Sequence, residues 1–199
     1  MAIDGTFGGK RFEGVEVGAE RVRRAEYDGC HFDRCSFTDT RFHDCRFIDC
    51  TFERCEFVGV RFVNSMLAGV TFQGGRVMGV DFTGARELSL KLSFDDARMD
   101  YCNFSGLPLK DTSFRDCALK EAVFAECDLR GSDFGGADLS GAVIRHSDLR
   151  GTDFREARGC AFDVKTCRTG KTQVGSDTAA ILLEALGIDC PELRALLGW

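Results

Sequence analysis

Residues 30–57 read C-H-F-D-R-C-S-F-T-D-T-R-F-H-D-C-R-F-I-D-C-T-F-E-R-C-E-F, with a Phe at every fifth position. An α-helix repeats every 3.6 residues or so and a β-strand every second, so neither places an apolar side chain on this period. The constraint is an internal repeat, and it extends far beyond this stretch. From Phe7 the register passes through Phe12, Val17, Val22, Tyr27 and Phe32 and reaches Phe82 without meeting a polar residue. It then slips by two residues and resumes at Phe94, running through Met99, Phe104 and Leu109 to Phe154. Of the 18 Phe residues, 17 lie on these two registers and the last is Phe162.

The position two before each centre is nearly always small: Cys30, Cys35, Thr40, Cys45, Cys50 and Cys55 early, then Ala97, Cys102, Thr112, Cys117, Ala122 and Cys127. Large and small side chains therefore alternate toward one interior. A chain that points one large side chain inward every five residues must turn a corner within each five, and four corners close a coil of twenty. Residues twenty apart would then stack at the strand spacing of about 4.8 Å and should resemble one another. They do: Phe12, Phe32, Phe52 and Phe72 form one column, Phe94, Phe114, Phe134 and Phe154 another. Leu109, Leu129 and Leu149 form a third, and Met99, Leu119 and Leu139 a fourth. The pattern predicts an all-β solenoid over residues 1–163, interrupted near 83–93, with a short α-helical segment in 164–199.

The segment D-L-R-G-S-D-F-G-G-A-D-L-S-G-A, residues 128–142, resembles the A-(D/N)-L-x-x motif of pentapeptide repeat proteins, and the resemblance spans residues 7–162. It implies a right-handed quadrilateral β-helix whose continuous core no single coil could bury alone.

With 199 residues and 44% apolar content, the chain has material for one cored domain. No signal-like apolar run opens it, and no stretch approaches the ~18 apolar residues of a spanning helix, so a cytoplasmic location off the membrane is expected. Eleven cysteines then read as free thiols. Most sit at the small inward position, where Cys packs as a small hydrophobe. A zinc site needs four ligands converging on one point, whereas successive quintets face different walls, so neither metal nor cofactor is expected. Residues 165–172, K-T-C-R-T-G-K-T, end like a phosphate-binding loop but carry Lys165 where the first glycine belongs. They read as a turn leaving the last coil. His31, His43 and His146 fall on outward positions with no nucleophile beside them, so solvated surface residues are expected and an enzyme is not.

The net charge of −6 opposes direct binding to nucleic acid, which needs clustered basic surface. The imbalance lies in the second half: residues 21–82 carry 9 acids and 9 bases, residues 93–163 carry 14 acids and 9 bases, a difference of −5. The twenty-residue rule stacks Asp128 on Asp148 and Asp133 on Asp153, beside a basic column of Lys110, Arg130 and Arg150. A solvated mixed-charge face and a face for a basic partner both fit this arrangement. The two extra residues within T-G-A-R-E-L-S-L-K-L-S, between Phe82 and Phe94, fit either a tolerated bulge or a contact loop centred on residues 86–91.

Beyond the repeats, S-D-T-A-A-I-L-L-E-A-L-G-I-D-C-P-E-L-R-A-L-L-G-W reads as a helix capped by Ser176 or Asp177 and stopped by Gly187, then a short helix opened by Pro191. Ile181, Leu182, Leu183, Leu186, Leu193 and Trp199 offer more apolar surface than one coil end needs. They either cover the solenoid edge or form a dimer.

The A-A-I-L-L-E-A-L-G-I run and the mid-chain interruption resemble the Qnr quinolone-resistance and albicidin-resistance branch of the family. That resemblance implies a homodimer joined through its C-terminus, shaped and charged like double-stranded DNA. Such a dimer would bind bacterial type IIA topoisomerases, gyrase or topoisomerase IV, and protect them from poisons. The implied contacts are Arg86, Glu87, Leu88 and Lys91 of the interruption, with Asp128, Asp133, Asp138, Asp148 and Asp153 of the acidic half. The neutral, Arg-rich stretch 21–82 departs from a wholly acidic mimic. The competing reading is a non-enzymatic repeat scaffold for another protein. A third places a nucleotide on residues 165–172, and Lys171→Ala tests it.

Overall fold

The computed structural model describes residues 4–197. Trp199 lies outside the described residues, and the chain from Thr6 to Val174 winds as a parallel β-solenoid of about eight coils. Four columns of inward side chains define four walls. Wall I carries Phe12 through Phe154, wall II Val17 through Leu139, wall III Val22 through Ile144, and wall IV Tyr27 through Leu149.

From Arg11 to Val63 every strand is three residues long with its centre buried, as in His31–Asp33 and Arg41–His43. Registers of twenty hold on either side of the break: Phe12 pairs with Phe32, Phe32 with Phe52, Phe52 with Phe72. The rings of wall I stack along the axis with centroids 4.6 Å apart for Phe32 and Phe52, 5.3 Å for Phe72 and Phe94, and 4.7 Å for Phe114 and Phe134. Wall III runs a second stack through Phe82, Phe104 and Phe124 at 4.9 Å per step. Neighbouring columns meet edge to face, Phe104 against Phe114 at 78°, so most rings have their preferred stacked and T-shaped neighbours.

Nearly every corner passes through a residue with positive φ two places after the centre, such as Gly29 (57°), Asp49 (48°), Gly106 (76°) and Asp116 (56°). Gly tolerates this conformation freely and Asn or Asp better than other side chains, which explains the polar residue or glycine found there in coil after coil.

The small inward position does more than fill space. Cys35 Sγ donates to the Phe12 carbonyl at 3.5 Å, Cys55 to Phe32 at 3.3 Å, Ser65 Oγ to Phe42 at 2.9 Å and Ser147 Oγ to Phe124 at 2.9 Å. Cys, Ser and Thr thus each reach a carbonyl one coil back, twenty-three residues earlier. All eleven thiols are free, and ten of them are buried. Burial pushes Cys50 and Cys102 up to about 12 and Cys127 up to about 11, so these thiols stay protonated and are poor nucleophiles. Among the described residues no group of three or more His, Cys, Asp or Glu could hold a metal ion, and no helix is long and apolar enough to cross a membrane.

The two extra residues lie where the register would next put Glu87 inward. Burying a carboxylate there is costly, and the chain instead lifts Glu87–Ser89 out as a 3-10 turn. Pairing shifts between Ala68 and Val70, after which Phe72 pairs with Phe94 and the twenty-residue register resumes. The aromatic stacks cross the break intact. Gly84 is fixed by close approach: a Cβ there would collide with the Phe62 carbonyl oxygen.

Past Phe154 the register runs one coil further than the Phe pattern shows. Arg168 bridges to Asp148, and Gln173–Val174 pairs with Asp153–Phe154. Residues 165–172 therefore lie within this coil and do not form a turn leaving it; Cys167 is buried and Thr172 Oγ1 donates to the Leu149 carbonyl at 2.7 Å. Helix α1 follows at Ser176–Ala185. Its N-cap is Gly175, with no side-chain cap bond, rather than Ser176 or Asp177; Asp177 sits in the first turn, where its charge suits the helix dipole. Gly187, at φ 74°, ends it: its N–H reaches the Glu184 carbonyl and that of Ile188 the Leu183 carbonyl, both at 2.9 Å, a Schellman closure. Helix α2, Pro191–Leu197, packs back on α1.

Candidate docking surface

The walls are flat, so functional surface must come from what projects from them. The break on wall IV projects furthest. Its base is pinned, with the Arg86 N–H donating to the Ser65 carbonyl at 2.8 Å and Arg86 Nε to the Asn64 carbonyl and Oδ1 at 2.9 and 3.1 Å. At its tip Leu88 is fully exposed, while Leu92 behind it is buried. Between this loop and the next coil lies a recess of about 330 Å³ lined by Leu90, Lys91, Leu92, Pro108, Lys110 and Thr112.

The five aspartates singled out by sequence are distributed over three walls. Asp128 and Asp148 stand on wall IV with the loop, Asp133 and Asp153 on wall I, and Asp138 on wall II. The predicted stacking of Asp128 on Asp148 and Asp133 on Asp153 is present. Each aspartate precedes its inward centre, and each bends back on its own turn. The N–H of Arg130, Gly135, Ser140, Arg150 and Arg155 donates to Oδ1 of Asp128, Asp133, Asp138, Asp148 and Asp153, at 2.8 to 3.3 Å. Arg130, Arg150 and Arg155 also clamp Asp128, Asp148 and Asp153, each at 2.6 Å. Arg115 holds Asp133 at 3.0 Å and Lys120 holds Asp138 at 3.4 Å. The hydrogen bond from Arg130 holds the Asp128 carboxyl below the usual carboxylate range; the bonds from Arg150, Arg155 and Ser140 do the same for Asp148, Asp153 and Asp138. The wall aspartates are thus largely neutralised from within.

The exposed negative charge sits on the corners, at the positive-φ positions: Asp96, Asp111, Asp116, Glu121, Glu126 and Glu156. Of these, only Asp111 forms an ion pair among the described residues, with Lys110 at 3.5 Å. Sequence reasoning looked one residue before each centre and missed these groups two residues after it. The signal was there, since five-residue spacing marks that position as a corner.

In the first half, charge is absorbed by a network on wall I. Asp33, 1% exposed, receives Arg11 at 2.9 Å, Arg54 at 3.0 Å and Arg34 at 3.2 Å. Burial works against its charged form, but the arginines prevail and its pKa lies below the usual range. His31 pairs with Glu53 at 3.0 Å and His43 with Asp44 at 2.8 Å, both half-buried, whereas His146 is exposed at a corner. The expectation of solvated histidines thus fits His146 but not the other two, which neighbouring carboxylates draw onto the wall.

At the C-terminal end, Phe162, Val164, Val174, Ala179, Leu182 and Leu186 line an apolar recess of about 340 Å³. Leu186 and Ile188 are half exposed, and Ile181, Leu183 and Leu193 are partly covered.

A flat-walled β-solenoid with a five-residue repeat, cornered by left-handed residues, defines the repeat-scaffold class of protein. The family models described as "Pentapeptide repeat region" and "Pentapeptide repeats (8 copies)" match residues 25–91 and 117–155, together more than half of the chain, and the chain belongs to the pentapeptide repeat family. Among solved structures it is similar to a trypsin-treated variant of QnrB1, a plasmid-mediated fluoroquinolone resistance protein, at 20% identity over 91% of this chain and 99% of that one, with a TM-score of 0.48. It is similar also to HetL of the cyanobacterium Nostoc, a pentapeptide repeat protein involved in heterocyst differentiation regulation, at 15% identity over 84% and 88% of the two chains, with a TM-score of 0.42. No curated protein sequence matches it.

Proposed function

We propose that this chain is a non-enzymatic binding protein that docks on a bacterial type IIA topoisomerase, gyrase or topoisomerase IV, and protects it from poisons. The observation that carries the reading is the pinned loop on wall IV, which offers an exposed leucine and a basic base next to Asp111, Asp128 and Asp148. A rigid rod with one projecting apolar tip suits insertion into a partner's cleft, where a buried anchor supplies most of the binding energy. The exposed corner carboxylates would approach the basic surface on which such an enzyme holds DNA, steering association without needing catalysis. The C-terminal recess and the exposed Leu186 and Ile188 support a two-fold contact through α1, which would give the partner two arms. The Qnr-like helix sequence supports the same reading.

The internal clamping of the five wall aspartates favours a second reading, a scaffold for a different protein in which DNA mimicry plays no part. Supercoiling and poison-induced cleavage by purified gyrase, with and without the protein, separate the two. Topoisomerase protection predicts supercoiling restored under a poison and lost both in a Leu88→Ser variant and in a chain ending before Ser176. No effect with any class of poison leaves the scaffold reading.

A further inference from the structure

Wall III of the first coils carries charge of the opposite sign. The outward position before each centre holds Arg21, Arg41 and Arg61, paired in register as Arg21 with Arg41 and Arg41 with Arg61. All three are exposed, and Arg23 and Arg24 stand exposed beside the first. Successive coils are separated by about 4.8 Å, so three guanidinium groups rise in line along the rod. On the other walls arginines have acids within reach: Arg11 and Arg54 meet Asp33, Arg46 meets Glu26 at 3.8 Å and Arg76 meets Glu56 at 3.2 Å. Among the described residues none of the five wall III arginines forms an ion pair. Of the acids on and beside this wall, Asp44 is held by Asn64 and His43, and Asp81, in register with Arg61, by Thr83, while Glu20 and Asp39 are exposed. Like charges directly opposite one another in a sheet destabilise it, so the ladder persists against the stability of its own wall.

We infer that this ladder is a binding surface for the phosphate backbone of duplex DNA, read without regard to sequence. Three features select this partner. The cluster is entirely arginine, whose planar fork suits oxyanions. None of the exposed large hydrophobic residues, Leu88, Tyr101, Val143, Leu186 and Ile188, lies in it; a protein partner would find charge but no apolar centre to anchor on, whereas a phosphate backbone needs only charge. The absence of an aromatic platform argues against single strands, whose bases stack on such rings. The wall is flat, with no helix or ribbon to enter a groove, which leaves base edges unread. Along the axis, Arg21 to Arg61 covers about two coil rises, roughly 10 Å, close to three phosphate steps of roughly 3.4 Å along one strand. The net charge of −6 hides this surface because the acids that outnumber the bases lie in the other half of the chain. The inference is independent of the topoisomerase reading.

Fluorescence anisotropy of a short labelled duplex, titrated with the protein at low and physiological salt, tests it. The expected result is weak binding whose affinity falls with salt at a log–log slope of about −3 for three phosphate contacts. A combined Arg21→Ser, Arg41→Ser and Arg61→Ser variant should bind roughly tenfold or more weakly at low salt. An Arg98→Ser, Arg158→Ser and Arg168→Ser variant removes equal charge from the other walls and should bind as the parent does. Because the ladder is self-repelling, its loss should leave the melting temperature unchanged or raised, so that weaker binding cannot be ascribed to unfolding. Absence of duplex binding at low salt, equal losses in both variants, or binding of poly-glutamate in preference to DNA would each overturn the inference.

Discussion

The two halves of the solenoid build the same coil with different corners. From Thr6 to Met78 the quintets make three-residue strands, apart from the eight-residue strand Met66–Gln73 that spans two of them, and their corners carry no closing hydrogen bond from the residue after the turn to the centre. From Phe104 to Ala157 most quintets keep a single bridge, and the turn closes: Leu107 N–H donates to the Phe104 carbonyl at 3.2 Å, Ser132 to Leu129 at 3.1 Å and Ala137 to Phe134 at 3.0 Å. The residue before the centre accounts for most of the difference. Wherever it is Asp or Asn, its Oδ1 accepts the N–H two residues on and pre-bends the chain, the side chain standing in for a turn. Pro108, Ser113 and Ala118 close too, each stacked beside an aspartate of the next coil. Val123 and Val143, branched and without an acceptor, revert to three-residue strands inside the closed half. Arg, Glu and Thr at the same position in the first half cannot reach back so tightly, and their walls remain extended. One position of the repeat thus selects strand or turn while the core stays common.

That comparison can be broken at the core first. Phe52→Ala and Phe114→Ala should each cost about 3–5 kcal/mol in denaturant unfolding, with no difference between halves, because both rings are fully covered and stacked. A loss confined to one half would mean that the core is not shared. Next come the corners. Asp148→Val should lower stability by roughly 1 kcal/mol and open the turn after Leu149, visible as faster amide exchange at Arg150. Val143→Asp should do the reverse and slow exchange at Arg145.

Acid should separate the halves further. Asp128, Asp138, Asp148 and Asp153 have folded pKa values below the unfolded value, so their stabilisation is complete above about pH 4 and is lost as pH falls through the folded values. Amide exchange followed down the pH scale should show the closed corners after Leu129 and Leu149 loosening, while the first-half corners away from Asp33 and Asp44, two carboxyls also held below the usual range, respond less. The smallest expected effect is on wall III, where Arg41→Thr should raise the melting temperature slightly by relieving the repulsion on both sides.

Much of this architecture was legible because it rests on burial. The five-residue register, the twenty-residue columns and the small inward position follow from which side chains avoid water. The break was legible as well, since the register would have buried Glu87. What stayed hidden depends on local hydrogen bonding or on weak substitutes. The last coil escaped notice because Gly159 and Thr169 stand where Phe or Leu would advertise a centre. The helix starts at Gly175, whose cap is backbone alone, so the polar Ser176 and Asp177 drew attention away from it. The wall aspartates fitted either a solvated mixed-charge face or a face for a basic partner, because a one-dimensional count cannot show a carboxylate turning onto its own backbone. The corner acids were marked by the five-residue spacing but passed over, whereas the lack of ion pairs along the arginine ladder, which depends on what stands opposite it, emerged only in three dimensions.

The claim that matters most is that the loop on wall IV, held by the solenoid, is a docking element for a type IIA topoisomerase. Its most direct test is the affinity of the intact protein for purified gyrase by surface plasmon resonance across a salt series, with Leu88→Ser measured beside it. The account predicts salt-weakened binding that is at least roughly tenfold poorer in the variant, the loss expected for a buried anchor. Binding that ignores both salt and Leu88, or no binding at any salt, would contradict it.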